Sequence, residues 1–384
     1  MQNINREEIE IKKSEAEKYL IKAEEFVSKN KVKASIQMLR KAINIFFEIG
    51  LYMKIPEVIS RIINIFYRES YIYLAIEYLN SIYKRLSNLD LPEEQAKILM
   101  ELAKLLKRIG DYELAAEYFE EAAELYLKAD PESFRELSAM FLISAAGCYE
   151  RTRTSHRKGE MLLIQAALRL NKEIFDYQAS EYQAIKYIKN KEFVKAIEIY
   201  EKLYKHFSYG LDNISQIVYD FEEITYVSIY AKTRLIHIIS EYRLILMFLY
   251  DLVGERDISR KIALESIEQL NSAIELIKGM IISNYWTRDD LKRLTYEGFM
   301  RAYFQKYWHI KDPTPEEEAY IYITKNLPNE VLDIIKKLPY YDLCVKTESY
   351  NLKSLNELLA DFNLGRLEKY KEFFIYPGNL ISNK

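Results

Sequence analysis

The chain has 384 residues, 49% of them hydrophobic and 29% charged, and a net charge of −3. That composition excludes a disordered polymer, and the near-balance of charge excludes a global field recruiting nucleic acid or an anionic membrane. Ten glycines and eight prolines are too few for the many turns of a strand-rich protein of this size.

Several segments bear on the compartment. The opening MQNINREEIEIKK is charged throughout and is no signal peptide. The longest apolar run, Leu244 to Tyr250, is far shorter than the roughly 20 residues of a membrane span. Cys148 and Cys344 lie far apart without metal-ligand spacing, so each reads as a buried free thiol of a reducing compartment. A cytoplasmic protein with no membrane insertion is expected.

In chain order, helix pairs recur. NKVKASIQMLRKAI places Ser35, Leu39 and Ala42 at spacings of four and three, one face of a helix. SYIYLAIEYLNSI repeats the pattern with Ala75, Leu79 and Ile82. The sharpest copy is GDYELAAEYFEEAAEL, with Ala115, Phe119 and Ala122 after a Gly110-Asp111 turn. Gly110 suits the left-handed residue that ends a helix, and Asp111 can cap the next one. SHRKGEMLLIQAAL gives Gly159, Leu163 and Ala166, and KEFVKAIEIYEKL gives Ala196, Tyr200 and Leu203. The opening small residues are 40, 40, 44 and 37 apart.

Each copy has a preceding partner. Leu99, Leu102, Ala103 and Leu106 form an apolar stripe before the sharpest one. Tyr19, Lys22, Ala23 and Phe26 precede the first, with Lys22 polar where an apolar residue is expected. Ile59, Ile62, Ile63 and Phe66 precede the second. Ile143, Ala146 and Gly147 precede the fourth, and Ala184 and Tyr187 the fifth. The small residues Ala115, Ala122 and Gly147 are expected to be close helix–helix contacts.

The turn and small–aromatic–small order around Gly110–Leu125 closely resemble a tetratricopeptide repeat (TPR), and the resemblance covers Glu15 to Phe207. The period near forty, with KASIQMLRKAINIFFEIG and EFVKAIEIYEKL, is similar to the soluble NSF attachment protein (SNAP)-like group. The resemblance implies an all-α fold, an α-solenoid of antiparallel TPR/SNAP-like helix pairs with C-terminal capping helices, about five to seven pairs in all. It also implies a protein partner held in a groove lined by the first helix of each pair. Two features of the SNAP group are missing: the turn SKNKVK has no room for a membrane-touching phenylalanine loop, and IYPGNLISNK is not an acidic tail.

Beyond the fifth copy, residues 214–253 form a long helical pattern expected to kink or divide near Tyr230. Ser259 to Met280 reads as its partner, and Trp286 to His309 as a further helix opened by Thr287-Arg288-Asp289-Asp290. Asp312-Pro313-Thr314-Pro315 is the clearest boundary, followed by Glu316-Glu317-Glu318 at a helix start. The expected division is a repeat array over 1–283 and a helical capping region over 284–384.

No phosphate loop, dinucleotide fingerprint or nucleophile elbow is present. The four histidines, His156, His206, His237 and His309, are scattered. His237 and Glu241 can meet across one helical turn, which reads as an ordinary helix pair, and no metal or cofactor is called. Runs such as Glu120-Glu121 read as solvated faces. Two cationic groups remain as partner- or anion-binding candidates. ERTRTSHRKGE gathers Arg151, Arg153, Arg157 and Lys158, whose guanidinium forks and a following helix start suit phosphate or carboxylate, or else form a solvated turn. Lys97, Lys104, Lys107 and Arg108 form a row opposite the leucine stripe, with Glu101 between the first two and able to pair with both. The carboxylate clamp of some TPR domains is not evident, since its slots hold Ser144 and Cys148. The expected function is a non-enzymatic interaction scaffold. A nucleic-acid-associated regulator using residues 151–158 is the alternative, and an enzyme of unrecognised class the third reading.

Overall fold

The structure, a computed structural model, describes residues 6–29, 31–68, 71–152, 156–171, 177–220, 225–308, 310 and 319–338. They form fifteen helices and no strand among the described residues. The chain divides into two compact units, residues 1–162 and 163–384.

The first unit holds α1 (Arg6–Ser28), α2 (Val32–Glu48), α3 (Lys54–Arg68), α4 (Ile72–Leu86), α5 (Pro92–Ile109), α6 (Tyr112–Ala129) and α7 (Arg135–Thr152). Each packs on the next, and α3 also touches α5. The helices are therefore stacked pairs, α1/α2, α3/α4 and α5/α6. The reason lies in the small-residue pattern. Ser35, Ala75 and Ala115 are wholly buried, as are Ala42 and Ala122, while Leu39, Leu79, Ile82 and Phe119 close the space between. The same pattern is buried further on, at Gly159, Leu163 and Ala166 in α8 (His156–Arg169) and at Ala196, Tyr200 and Leu203 in α10 (Phe193–Asp220). The repeat register thus holds through all five copies. In the partnering helices Ile59, Ile62, Ile63, Leu99, Leu102, Ala103 and Leu106 are buried, whereas Lys22 is exposed.

The period is also written in side-chain bonds between neighbouring pairs. The Arg85 guanidinium donates to Asn44 Oδ1 at 2.9 Å, Tyr118 to Asn80 at 3.5 Å and Lys128 to Asp90 at 2.9 Å, spanning 41, 38 and 38 residues. At the α5–α6 turn Gly110 adopts φ 85° and accepts the left-handed cap, and the Asp111 carboxylate accepts from Leu114 N at 3.4 Å. The α6–α7 joint stacks Phe119 and Tyr126 on Phe141, with centroids 6.1 and 5.5 Å apart. Gly147 is buried but is not a close contact, because a Cβ there would meet nothing within 4 Å. The tight approach falls instead in the second unit, at Gly210, where a Cβ would lie 2.9 Å from Leu168 Cδ2.

The second unit contains α9 (Tyr177–Lys189), α10, α11 (Tyr226–Leu252), α12 (Arg256–Ile282), α13 (Arg288–Trp308), α14 (Ala319–Thr324) and α15 (Asn329–Ile335). α11 begins at Tyr226 with Thr225 outside the helix, so the long helical stretch is interrupted a little before Tyr230. α11 is packed by α10, α12 and α13 and is buried along most of its length. α13 opens on a reciprocal cap: Thr287 N donates to Asp290 Oδ2 at 2.7 Å and Asp290 N to Thr287 Oγ1 at 3.4 Å. Tyr322, Ile323, Leu327, Val331, Ile335 and Leu338, from α14, α15 and the turns beside them, pack on Ile274, Ile277, Ile281, Leu291 and Leu294 of α12 and α13. Residues 312–318 and 344 lie outside the described residues.

Candidate partner-binding face

In the first unit α3 packs beside α5, and Arg61 of α3 bonds Glu24 of α1, so α1, α3 and α5 share one face. Between α3 and α5 lies a cavity of about 350 Å³, lined by Pro56, Ile59, Ile98, Met100 and Tyr126, with Glu57, Ser60, Lys97 and Glu101 supplying its polar lining. Met53 also lines it and is 69% exposed. A second cavity of about 310 Å³ lies among α1, α2 and α3, lined by Val27, Leu39, Glu24, Arg61 and Asn64 among others. Arg61 links the two: it bonds Glu24 of α1 at 2.8 Å and lies 3.7 Å from Glu57, which Lys54 holds at 2.9 Å. The Lys54 hydrogen bond keeps the Glu57 carboxyl below its ordinary range.

The lysine row contributes to this face only in part. Lys97 lines the α3–α5 cavity and pairs with Glu93 at 2.5 Å, one turn back on its own helix. Glu101 takes Lys104 alone, at 2.8 Å, so it does not bridge both lysines. Lys107 is half-buried and Arg108 exposed, and neither lines either cavity. Of the clamp slots, Ser144 donates to its own helix at Met140 O, 3.0 Å away, and Cys148 is wholly buried.

Two of the basic residues, Arg151 of α7 and Lys158 of α8, meet aromatic side chains. The Arg151 guanidinium sits 5.5 Å from the Tyr112 ring. Lys158 donates to the Tyr149 hydroxyl at 3.1 Å, and that hydroxyl donates to Glu120 at 2.8 Å. Burial raises the Glu120 carboxyl and the Tyr149 phenol alike, so Glu120 belongs to a packed network and not to a solvated face. Arg157 is exposed, and Arg153 lies outside the described residues.

The cluster that sequence reasoning undervalued is in the second unit. His237 of α11 is 6% exposed and does meet Glu241, with Nε2 3.3 Å from Oε1. Glu297 of α13, wholly buried, comes from sixty residues away to place Oε1 2.7 Å from His237 Nδ1. Tyr296 lies 4.7 Å from the imidazole and donates to Glu241 at 3.4 Å. Burial alone would lower the imidazole pKa, but the two carboxylates outweigh it and raise it to about 9. Glu181 of α9 is pushed up to about 7 by burial and by the Glu241 charge. Spacing showed the His237–Glu241 pair, but nothing local to either residue signals Glu297. Among the described residues no group of three or more His, Cys, Asp or Glu side chains is placed to hold a metal, and no helix is long and apolar enough to cross a membrane.

The architecture is that of a TPR-like helical repeat protein. The family model described as "Soluble NSF attachment protein, SNAP" matches residues 4–130, the span of α1 to α6, so the first three pairs are SNAP-like. No curated protein sequence matches the chain. Among solved structures, the chain is similar to the "Crystal Structure of the Apo Form of RapI" at 17% identity and a TM-score of 0.33, over 84% of this chain and 99% of that one. It is also similar to a "Circular tandem repeat protein with novel repeat topology and enhanced subunit contact surfaces" at 15% identity and a TM-score of 0.24, over 98% and 88%.

Proposed function

We propose that this chain is a non-enzymatic scaffold or adaptor, and that it binds a protein partner along the α1–α3–α5 face. The observation carrying this reading is the cavity of about 350 Å³ between α3 and α5, where Met53, Pro56 and Met100 stand beside the charged Glu57, Lys97 and Glu101, over buried Ile59, Ile98 and Tyr126. A pocket of mixed apolar and charged lining fits an anchoring side chain and the polar contacts that orient it. Charged pairs at the rim add selectivity more than affinity, since exposed pairs are each worth little. The matched family is described as an attachment protein, and attachment is the role carried over here. In the same reading residues 284–384 cap the array, as terminal repeats of stacked arrays require.

The test is a photo-crosslinking amino acid placed at Ser60 or Met100 on this face, and at Tyr73 of α4, which is 75% exposed, as the control. Adducts with one native partner should form from Ser60 and Met100 and not from Tyr73. Adducts confined to Tyr73 would move the binding surface off this face.

A further inference from the structure

We infer that the joint between α11 and α13 is a proton-dependent clasp, in which a protonated His237 gripped between Glu297 and Glu241 holds α13 in place and loss of that proton loosens it. The geometry suits the charged imidazole. Nδ1 is hydrogen-bonded to Glu297 at 2.7 Å and Nε2 faces the Glu241 carboxylate at 3.3 Å, so imidazolium sets a positive edge against each carboxylate, whereas a neutral ring does so for only one. A neutral ring would set a lone pair against one carboxylate and leave two carboxylates in the interior without this cation. Glu297 is the costly one: it is wholly buried, and its Oε2 has no hydrogen-bond partner.

The groups around the ring come from three helices. Glu241 shares α11, Tyr296 and Glu297 come from α13, and Glu181 of α9 acts on Glu241. From α10 and α12, Tyr204, Glu265 and Gln269 bond a different cation of α11, Arg243, while Glu201 accepts from the Tyr250 hydroxyl and Tyr200 packs on Tyr242. Arg234, one turn before His237, and Arg301, one turn after Glu297, are buried beside the joint. The Arg301 guanidinium donates to Asn271 of α12 and lies 4.6 Å from the Tyr322 ring, so movement of α13 would be passed to the elements covering it. Losing the proton adds negative charge to a cluster that already holds more carboxylates than imidazoles. Opening the joint lets water solvate them, and the α12–α13 surface that α14 and α15 cover would be uncovered with it.

The experiment is hydrogen exchange of the full chain from pH 6 to pH 10, corrected for the intrinsic pH dependence of exchange, with His237→Gln beside it. Protection of α13 should fall at least tenfold across this range in the wild type. In His237→Gln it should already be low at pH 6 and flat thereafter. Because that variant could fail to fold, the wild-type His237 ring is also titrated by nuclear magnetic resonance, with Glu297→Gln as the second variant. A midpoint well above the ordinary histidine range, which Glu297→Gln lowers, supports the clasp. A ring titrating in or below the ordinary range, or α13 protection unchanged from pH 6 to pH 10, overturns it.

Discussion

The two units join helices by opposite means. In the first, the joints are alkyl and aromatic: Leu99, Leu102, Leu105 and Ala115 are wholly buried, and most ion pairs lie outside them, as Lys128–Asp90 and Arg61–Glu24 do. In the second, ionisable groups enter the joints themselves, with Arg234, His237, Arg243, Lys278, Asp290, Glu297 and Arg301 all buried. The first unit is therefore a stack whose stability comes from burial of apolar area. The second is specified more by charge and hydrogen-bond geometry, with a titratable imidazole inside one of its joints.

The largest expected effect tests that difference directly. His237→Ala removes the cation from between Glu241 and Glu297 and leaves a cavity, so it should destabilise the second unit by about 3–5 kcal/mol. Denaturant unfolding followed at pH 7 measures it. A cost within experimental error would mean that the imidazole is neutral and that the joint is held by packing alone.

The pH response of each unit is set by its individual groups. His237 is raised in the folded state to about 9, so its contribution is full below its unfolded value near 6.5 and is lost as pH rises through 9. Glu181 is raised to about 7, so the neutral carboxyl is favoured and stability falls as pH climbs from its unfolded value of 4.5 toward 7. Both make the second unit weaker in alkali. Glu57 in the first unit is lowered, so its contribution is present above 4.5 and is lost in acid. Glu181→Gln should accordingly stabilise the second unit by roughly 3 kcal/mol at pH 8 and leave it nearly unchanged near pH 4.5. A gain of the same size at both values would assign the effect to packing.

The first unit was the more legible in the sequence for the same physical reason. Close helix packing demands small residues at fixed intervals, and Ser35, Ala75, Ala115 and Gly159 carry that demand in one dimension. The Gly110-Asp111 cap is likewise local, so its φ and its hydrogen bond follow from two adjacent residues. Gly147 misled because a small residue permits close approach without requiring it, and no neighbouring atom takes up the space. The His237 cluster could not be read in full, because Glu297 reaches it only through the packing of α13 on α11. The candidate cations were found by composition, which gives their number but not their partners. Glu93, Glu101, Tyr112 and Tyr149 engage four of them.

Overpacking sharpens the account of the first unit. Ala122 is wholly buried in α6, so Ala122→Leu should cost roughly 1–3 kcal/mol, read as a lowered melting temperature. An unchanged melting temperature would show that the joint has slack, as at Gly147, and that small residues there are not a packing requirement.

The smallest stability effect belongs to the lysines at the cavity rim, and it separates folding from binding. Lys97 and Lys104 each pair with a glutamate on their own helix, in partly exposed positions. Such pairs contribute about 0–1 kcal/mol, because water screens the charges and both side chains lose rotamer freedom on pairing. Lys97→Ala and Lys104→Ala should therefore leave the melting temperature nearly unchanged. Lys97 lines the α3–α5 cavity, whereas Lys104 lines neither cavity of the face. If a partner seats in that cavity, Lys97→Ala should weaken its binding and Lys104→Ala should do so less. Removing Lys97 leaves Glu93 uncompensated, so an acidic partner segment would lose the most and a basic one could gain. Equal affinities for wild type and both variants would place the partner away from α5, while the stability data would still stand as a test of the exposed pairs.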